Sequence, residues 1–211
     1  MSKISDLIES LRSKIQAWKA ERQAKYQRKW ERKTEERKRR DEERKRRQEE
    51  ERQRRERERK TYRIGNDFES YVITIFDKEK FILTHRTPTD EDTNGRYVRS
   101  MVYPDLRFRE KSTGREFWVE CKYRYQPEYD GSVIWCSDTQ LKNYLKTQYN
   151  TRVPVYVILG MGGSSKCPDV LYCFRVDENR FTHLFYNRYR SKKIAVRNIT
   201  SLDDLEIISR T

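Results

Sequence analysis

Neither glycine nor proline occurs before Gly65, so no ordinary helix breaker interrupts the N-terminal part of the chain. Apolar residues are also scarce, at 34% of 211 residues, where an ordinary soluble domain approaches half. No apolar run nears the ~18–20 residues that cross a bilayer, which excludes a predicted membrane span. The N-terminus shows no apolar stretch followed by a cleavage site, and no secretory signal is expected. The four cysteines, Cys121, Cys136, Cys167 and Cys173, contain no CxxC pair, so reduced thiols in a cytoplasmic protein are expected. His85 and His183 are the only histidines and are not spaced as a ligand pair. Both read as ordinary hydrogen-bonded side chains, although His85 stands near the end of the first predicted strand, where a role beside a site stays open. No GxSxG string or Cys/His nucleophile context occurs. Residues 160–166 hold three glycines after a predicted strand but lack the second glycine before lysine that a phosphate-binding P-loop requires.

What fills the chain instead is charge. Charged residues make up 39%, with a net of +14. Residues 1–60 hold 24 Lys/Arg and 14 Asp/Glu, a net of +10, and the remainder holds 24 and 20, a net of +4. The basic excess is an N-terminal property. It draws phosphate polyanions and acidic membrane surfaces alike, without choosing between them.

Ile4, Leu7, Ile8, Leu11, Ile15 and Trp18 recur every three or four residues and share one helix face, with Ser2 or Ser5 as cap. That stripe could bury itself on this protein's own domain, on a second copy, on a protein partner or on a membrane surface. Asp6 and Glu9 dilute the basic face that anionic lipid favours, so a membrane is the least expected of these. From Lys19 to Lys60 the apolar period stops and charge order replaces it. Glu35–Arg39, Glu36–Arg40, Asp41–Lys45, Glu42–Arg46, Glu43–Arg47, Glu50–Arg54 and Glu51–Arg55 all place acid four residues before base. That orientation stabilises an isolated helix by roughly 0.2–0.5 kcal/mol per pair. A solvated, charged single helix of coiled-coil-like composition is predicted, a spacer of about 60 Å at 1.5 Å per residue. Its basic runs, such as Arg37-Lys38-Arg39-Arg40, could also touch nucleic-acid backbone, although interleaved acids weaken any such patch.

Composition changes at residues 61–66, and residues 61–211 are rich enough in Tyr, Phe, Trp, Ile and Val for one core. Gly65 is expected to break the helical run, with Asn66 or Asp67 capping a new helix whose inner side carries Phe68, Tyr71, Val72, Ile75 and Phe76. Residues 81–83 read as a short strand and residues 86–97, with Pro88 and Asn94-Gly95, as a loop. Residues 105–110 and 115–124 alternate polar and apolar around Ser112-Thr113-Gly114, a hairpin signature. A helix at 138–149 follows, capped by Ser137 or Asp138, then strands at 153–159 and 170–176. Beyond Asp177 no assignment is made.

The chemistry concentrates in the hairpin. Strand periodicity puts Phe117, Val119, Cys121 and Tyr123 on one apolar face, so Glu120 and Lys122 emerge together on the other. Asp105 follows Pro104 at the start of the preceding strand, where proline has no ladder donor to lose. Two carboxylates from neighbouring strands can converge on one hard cation such as Mg²⁺, which keeps waters and shares substrate phosphate.

Pro104-Asp105, fourteen residues, then Glu120-Cys121-Lys122, within a helix–strand–strand–strand–helix–strand order, resembles the PD-(D/E)xK nuclease superfamily over residues 65–176. Gly65-Asn66-Asp67-Phe68-Glu69 is similar to the opening helix of resolvase-like and Mrr-like members, and Gln140-Leu141-Lys142-Asn143-Tyr144 is similar to the QxxxY motif of RecB-like members. The resemblance implies an α/β, restriction-endonuclease-like αβββαβ core with a central mixed sheet, preceded by the charged helix. It implies Mg²⁺, or Mn²⁺ in its place, held by Asp105, Glu120 and the backbone carbonyl of Cys121. Glu69 would support the metal or its water, and Lys122 would orient or help deprotonate the attacking water. Gln140 and Tyr144 would flank the site, contacting DNA or orienting Lys122. Arg86, Arg96, Arg99, Arg107 and Lys142 are further candidates for phosphate contacts.

The function expected is therefore Mg²⁺-dependent hydrolysis of DNA phosphodiester bonds. The alternative is a non-catalytic nucleic-acid-binding or assembly module, with the arm docking a protein partner. Cutting both strands often calls for two sites, so a homodimer is one arrangement consistent with the expected chemistry.

Overall fold

The computed structural model describes residues 2–88, 103–194 and 198–210, with side chains from Ile8 onward. The chain divides into two units, Met1–Arg59 and Lys60–Thr211. No described helix is long and apolar enough to cross a membrane.

The first unit is helical, as the absence of breakers and the high content of Glu, Lys, Arg and Gln require. Of the apolar stripe, Ile8, Leu11, Ile15 and Trp18 are each about half exposed. The side chains of Ile4 and Leu7 lie outside the described residues. Three of the expected acid-before-base pairs form: Arg40–Glu36 at 2.6 Å, Arg47–Glu43 at 2.7 Å and Arg55–Glu51 at 2.6 Å. Two others choose differently. Arg46 turns to Glu50 and Arg54 to Glu58, both at 3.5 Å, rather than to Glu42 and Glu50. On a solvated face each guanidinium has an acid on either side, and the two choices differ by only tenths of a kcal/mol.

Helix α1 (Ser2–Ile75) supplies the first element of the second unit. The expected break at Gly65 does not occur. Glycine inside a helix costs about 1 kcal/mol relative to alanine. Phe68, Val72, Ile75 and Phe76, three to eleven residues later, are all buried, each worth roughly 1.5–3 kcal/mol. Burial of that face outweighs one glycine, so Asn66 and Asp67 are helical residues and not caps.

Five strands follow in one mixed sheet: β1 (Phe81–Arg86), β2 (Leu106–Glu110), β3 (Glu116–Arg124), β5 (Val155–Met161) and β6 (Val170–Arg175), in spatial order β1-β2-β3-β5-β6. Only the β3–β5 pairing is parallel. Strand β1 runs to Arg86, three residues beyond the predicted strand, with a register shift between Leu83 and His85. The segment expected as a loop therefore starts later, and its Asn94-Gly95 lies outside the described residues. Every residue of β5 is buried, which is why its sequence is a near-continuous apolar run.

Helix α2 (Asp138–Thr151) crosses between β3 and β5 and begins in a capping box at Ser137. Two short strands, β4 (Val133–Ile134) and β7 (His183–Leu184), form a separate antiparallel ribbon. Helices α3 (Tyr186–Tyr189) and α4 (Leu202–Arg210) complete the chain. The sheet is buried on both faces. Phe68, Val72, Ile75, Leu202 and Leu205 pack with Phe117, Val119 and Ile158 on one side, and Leu141, Tyr144 and Trp135 pack with Trp118, Val157 and Phe174 on the other. Helix α4 is fixed at its start by Glu110, whose carboxylate accepts the Leu202 N–H at 2.9 Å.

Candidate active site

The antiparallel register pairs Leu106 with Val119. The paired register ends there, and Pro104 and Asp105 stand just before β2. The Cys121 N–H donates to Asp105 Oδ2 at 2.8 Å, so it points toward the β2 side. In such a ladder a residue's carbonyl faces the same neighbour as its N–H. Pro104 has no N–H to offer in return, so the Cys121 carbonyl receives no rung from it. Thr87 fixes this corner from β1. Its N–H donates to the Asp105 carbonyl at 2.7 Å and its hydroxyl to the Pro104 carbonyl at 2.8 Å.

Glu120 is only 3% exposed. Its Oε1 lies 2.6 Å from Lys122 Nζ and accepts the Tyr144 hydroxyl at 2.6 Å. Lys122 also sits 6.0 Å from the Tyr144 ring centre. Two residues on one strand face and one from the inner side of α2 thus meet at a single oxygen. Glu69, in the last turns of α1, is held by Arg86 at 3.1 Å. The same guanidinium reaches Asn66 Oδ1 and, at 3.4 Å, Ser70 Oγ.

Electrostatics bind these groups into one cluster. Burial, and then the negative charge of Glu120, push the Asp105 carboxyl well above the usual carboxylate range, with Lys122 only partly opposing. Burial likewise raises Glu69, against the pull of Arg86. Burial works against charge on Lys122, but the carboxylates of Glu120 and Asp105 outweigh it and its pKa is raised. Lys122 is therefore a firmly held ammonium in this arrangement. Burial, then the charge of Asp105, raises the Cys121 thiol, and burial pushes Cys136 up to about 12, so neither offers a thiolate nucleophile. Three acids, Glu69, Asp105 and Glu120, cluster with two cations, Lys122 and Arg86, and burial with the charge of Glu120 favours the neutral form of Asp105.

No family model and no curated protein matches this chain.

Of the residues singled out in the sequence, Asp105, Glu120, Lys122 and Glu69 interact electrostatically, and Tyr144 hydrogen-bonds Glu120 while its ring lies beneath Lys122. Gln140 is placed differently. Its Oε1 accepts the Ser137 N–H at 3.1 Å and its backbone N–H donates to the Ser137 hydroxyl at 3.2 Å, so it completes the capping box that Ser137 opens. Arg86 is committed to α1, and Arg107 pairs with Glu116 at 2.5 Å while lying over the Trp118 ring at 5.2 Å. Lys142 is exposed on α2, and Arg96 and Arg99 lie outside the described residues. His85 stands edge-on to Trp118 at 5.6 Å, and burial, then Arg107, lowers its pKa, so it is neutral near pH 7. Thr87, which anchors the corner, carried no signal in the sequence beyond preceding Pro88. Among the described residues no three His, Cys, Asp or Glu side chains stand ready as a metal cage. Glu120 Oε1 is turned to Lys122 and Tyr144, and Glu69 to Arg86.

Proposed function

We propose that this chain is a Mg²⁺-dependent nuclease that hydrolyses DNA phosphodiester bonds on a restriction-endonuclease-like core. The observation that carries the reading is the meeting of Asp105, which accepts the Cys121 N–H, with Glu120 and Lys122, near enough that the charge of Glu120 helps burial drive the Asp105 carboxyl upward. A divalent ion here would take the place of the proton that burial and Glu120 favour on Asp105, a hard charge among oxygen donors. Asp105, Glu120 and the Cys121 carbonyl are oxygen donors of the kind Mg²⁺ takes, with Glu69 next to them. When bound, Mg²⁺ or Mn²⁺ would lower the pKa of a water and offset charge on the scissile phosphate.

The chain's own residues divide the remaining work. Lys122, held as an ammonium by the carboxylates of Glu120 and Asp105, would orient the attacking water and neutralise developing charge. Tyr144 fixes one oxygen of Glu120 and so orients the carboxylate. Arg86 holds Glu69 within reach of the cluster. Gln140 keeps an exposed amide at the start of α2, beyond the part of it spent on the cap. A cytoplasmic setting accords with four free thiols.

The competing reading is a non-catalytic nucleic-acid-binding or assembly module, in which the Glu120–Lys122–Tyr144 network is purely structural. Calorimetric Mg²⁺ and Mn²⁺ titration separates the two, together with incubation of linear, circular, single-stranded and branched DNAs with and without metal. The wild type should take up metal and cleave at least one substrate. Asp105→Ala should lose both while keeping its fold. An Asp105→Ala protein that cleaves at the normal rate removes the assignment.

A further inference from the structure

The β4–β7 ribbon and the start of α3 carry exposed aromatic rings that the candidate active site does not use. Phe181 is 68% exposed, Phe185 54% and Tyr186 56%. Single exposed apolar residues need no explanation, but several large rings on one short segment mark a contact surface. Phe181, His183, Phe185 and Arg188 border a recess of about 330 Å³, at the low end of small-molecule sites. His183 already stacks on Phe185, with ring centres 5.9 Å apart and planes at 26°. Flat groups are thus accommodated there face to face.

Charge along this segment is mostly positive, with Glu178 at the recess and Asp130 next to His183 as the acids nearby. Residues 178–193 hold Arg180, Arg188, Arg190, Lys192 and Lys193 against a single acid, Glu178, which lies 3.9 Å from Lys192. Arg180, Arg188 and Arg190 are exposed. A protein partner's apolar surface would have no use for so strong a positive surround, whereas a polyanion bearing flat faces matches both features. Rings interleaved with cations are how unpaired nucleic acid is held, each base stacking while its phosphates are neutralised. A paired duplex shows its bases only edge-on in the grooves and offers no free face to Phe181 or Phe185.

The patch also lies close to the candidate metal site. Trp135 Nε1 donates to the Phe181 carbonyl at 2.8 Å and its backbone N–H to the Thr182 carbonyl at 3.1 Å. The Trp135 ring stacks on Tyr144, centres 6.1 Å apart, and Tyr144 holds Glu120. One stacked ring pair links the two.

We propose that Phe181, Phe185 and the arginines around them form a stacking subsite for unpaired nucleobases, so that the substrate is nucleic acid with a single-stranded or displaced segment. Its role as a substrate subsite rests on the nuclease reading, but base binding does not. Fluorescence anisotropy in EDTA, with the full chain, compares a short single-stranded DNA, the matching RNA and the blunt DNA duplex. The double variant Phe181→Ala/Phe185→Ala changes only exposed rings, and Arg188→Ala tests the charge. Phosphate attraction by the arm is common to all proteins, so the ratio of single-strand to duplex affinity isolates the subsite. The variant should weaken single-strand binding about tenfold or more, with duplex binding nearly unchanged. Equal loss on both substrates, or single-strand binding like wild type, overturns the proposal. Ring-dependent binding by a protein that cleaves nothing in Mg²⁺ upholds the subsite and removes the nuclease reading instead.

Discussion

Tyr144→Phe deletes one hydroxyl and nothing else. The ring keeps its place against Trp135, so no cavity opens and the transfer term is small. What disappears is the 2.6 Å hydrogen bond to Glu120 Oε1, inside a region where the carboxylate is 3% exposed. A hydrogen bond to a charged partner contributes roughly 1.5–3 kcal/mol, and here water cannot readily replace the lost donor. Lys122 stays on the same oxygen, which keeps the loss within that range and below that of a stranded charge. With a urea dependence of about 2 kcal/mol per molar, the unfolding midpoint should fall by about 1 M with unchanged slope. Intrinsic tryptophan fluorescence follows the transition, since Trp135 reports directly on its stacked neighbour. If cleavage is measured in parallel, the rate should fall while substrate affinity holds, because Tyr144 acts through Glu120. A midpoint within about 0.2 M of wild type would show that the hydroxyl does not hold the carboxylate, and the account of Glu120 positioning would fail.

Two further outcomes follow from the packing. Burial works to raise the Glu110 carboxyl, but the Thr113 hydroxyl, the Leu202 N–H and Arg115 outweigh it, and its pKa is lowered from 4.5. A lowered acid stabilises the fold above its unfolded value and loses that contribution as pH falls through the folded value. Glu110→Gln should therefore cost roughly 1–3 kcal/mol at pH 7, and the gap from wild type should narrow in urea titrations below pH 4.5. A gap that stays constant down to about pH 3 would refute the role of the charge. Gly160→Ala places a methyl 2.4 Å from Cε2 and 2.7 Å from Cζ of the buried Phe68 ring, a clash expected to lower stability by roughly 1–3 kcal/mol in thermal melts. An unchanged melting temperature would mean that Phe68 has room to withdraw.

Local patterns were readable from the chain where one residue's neighbours decide its fate. The buried stripe Phe68, Val72, Ile75 and Phe76, the hairpin around Ser112-Thr113-Gly114, and the cap at Ser137 all rest on short-range spacing, and the structure has each of them. Gly65 misled because a breaker is weighed against the residues beside it, while its cost was offset by a face packed on a sheet formed later in the chain. The β4–β7 ribbon joins strands of two residues each, too short for any period, across some fifty positions. Glu110 reaches Leu202 over 92 residues, which no local rule anticipates. Glu120 and Lys122 were legible as neighbours because strand alternation puts both on one face, and the hairpin brings Asp105 to the Cys121 N–H, whereas Glu69 on α1 came only from the resemblance. Gln140 was not, since the same glutamine that fits a motif also fits a capping box, and the nearby Ser137 decides the matter. Thr87, just past β1, has no sequence pattern that reveals it, and Arg86, a candidate phosphate contact in the sequence, pairs with Glu69 on α1.

Pro104 stands just before the first rung of the β2–β3 seam, Leu106 with Val119, like a missing tooth in a zipper. Lacking an N–H, it can add no rung of its own to the ladder. Its carbonyl is taken up by the Thr87 hydroxyl instead. Beyond the last rung it is a side chain, that of Asp105, and not another backbone pair, that meets the Cys121 N–H.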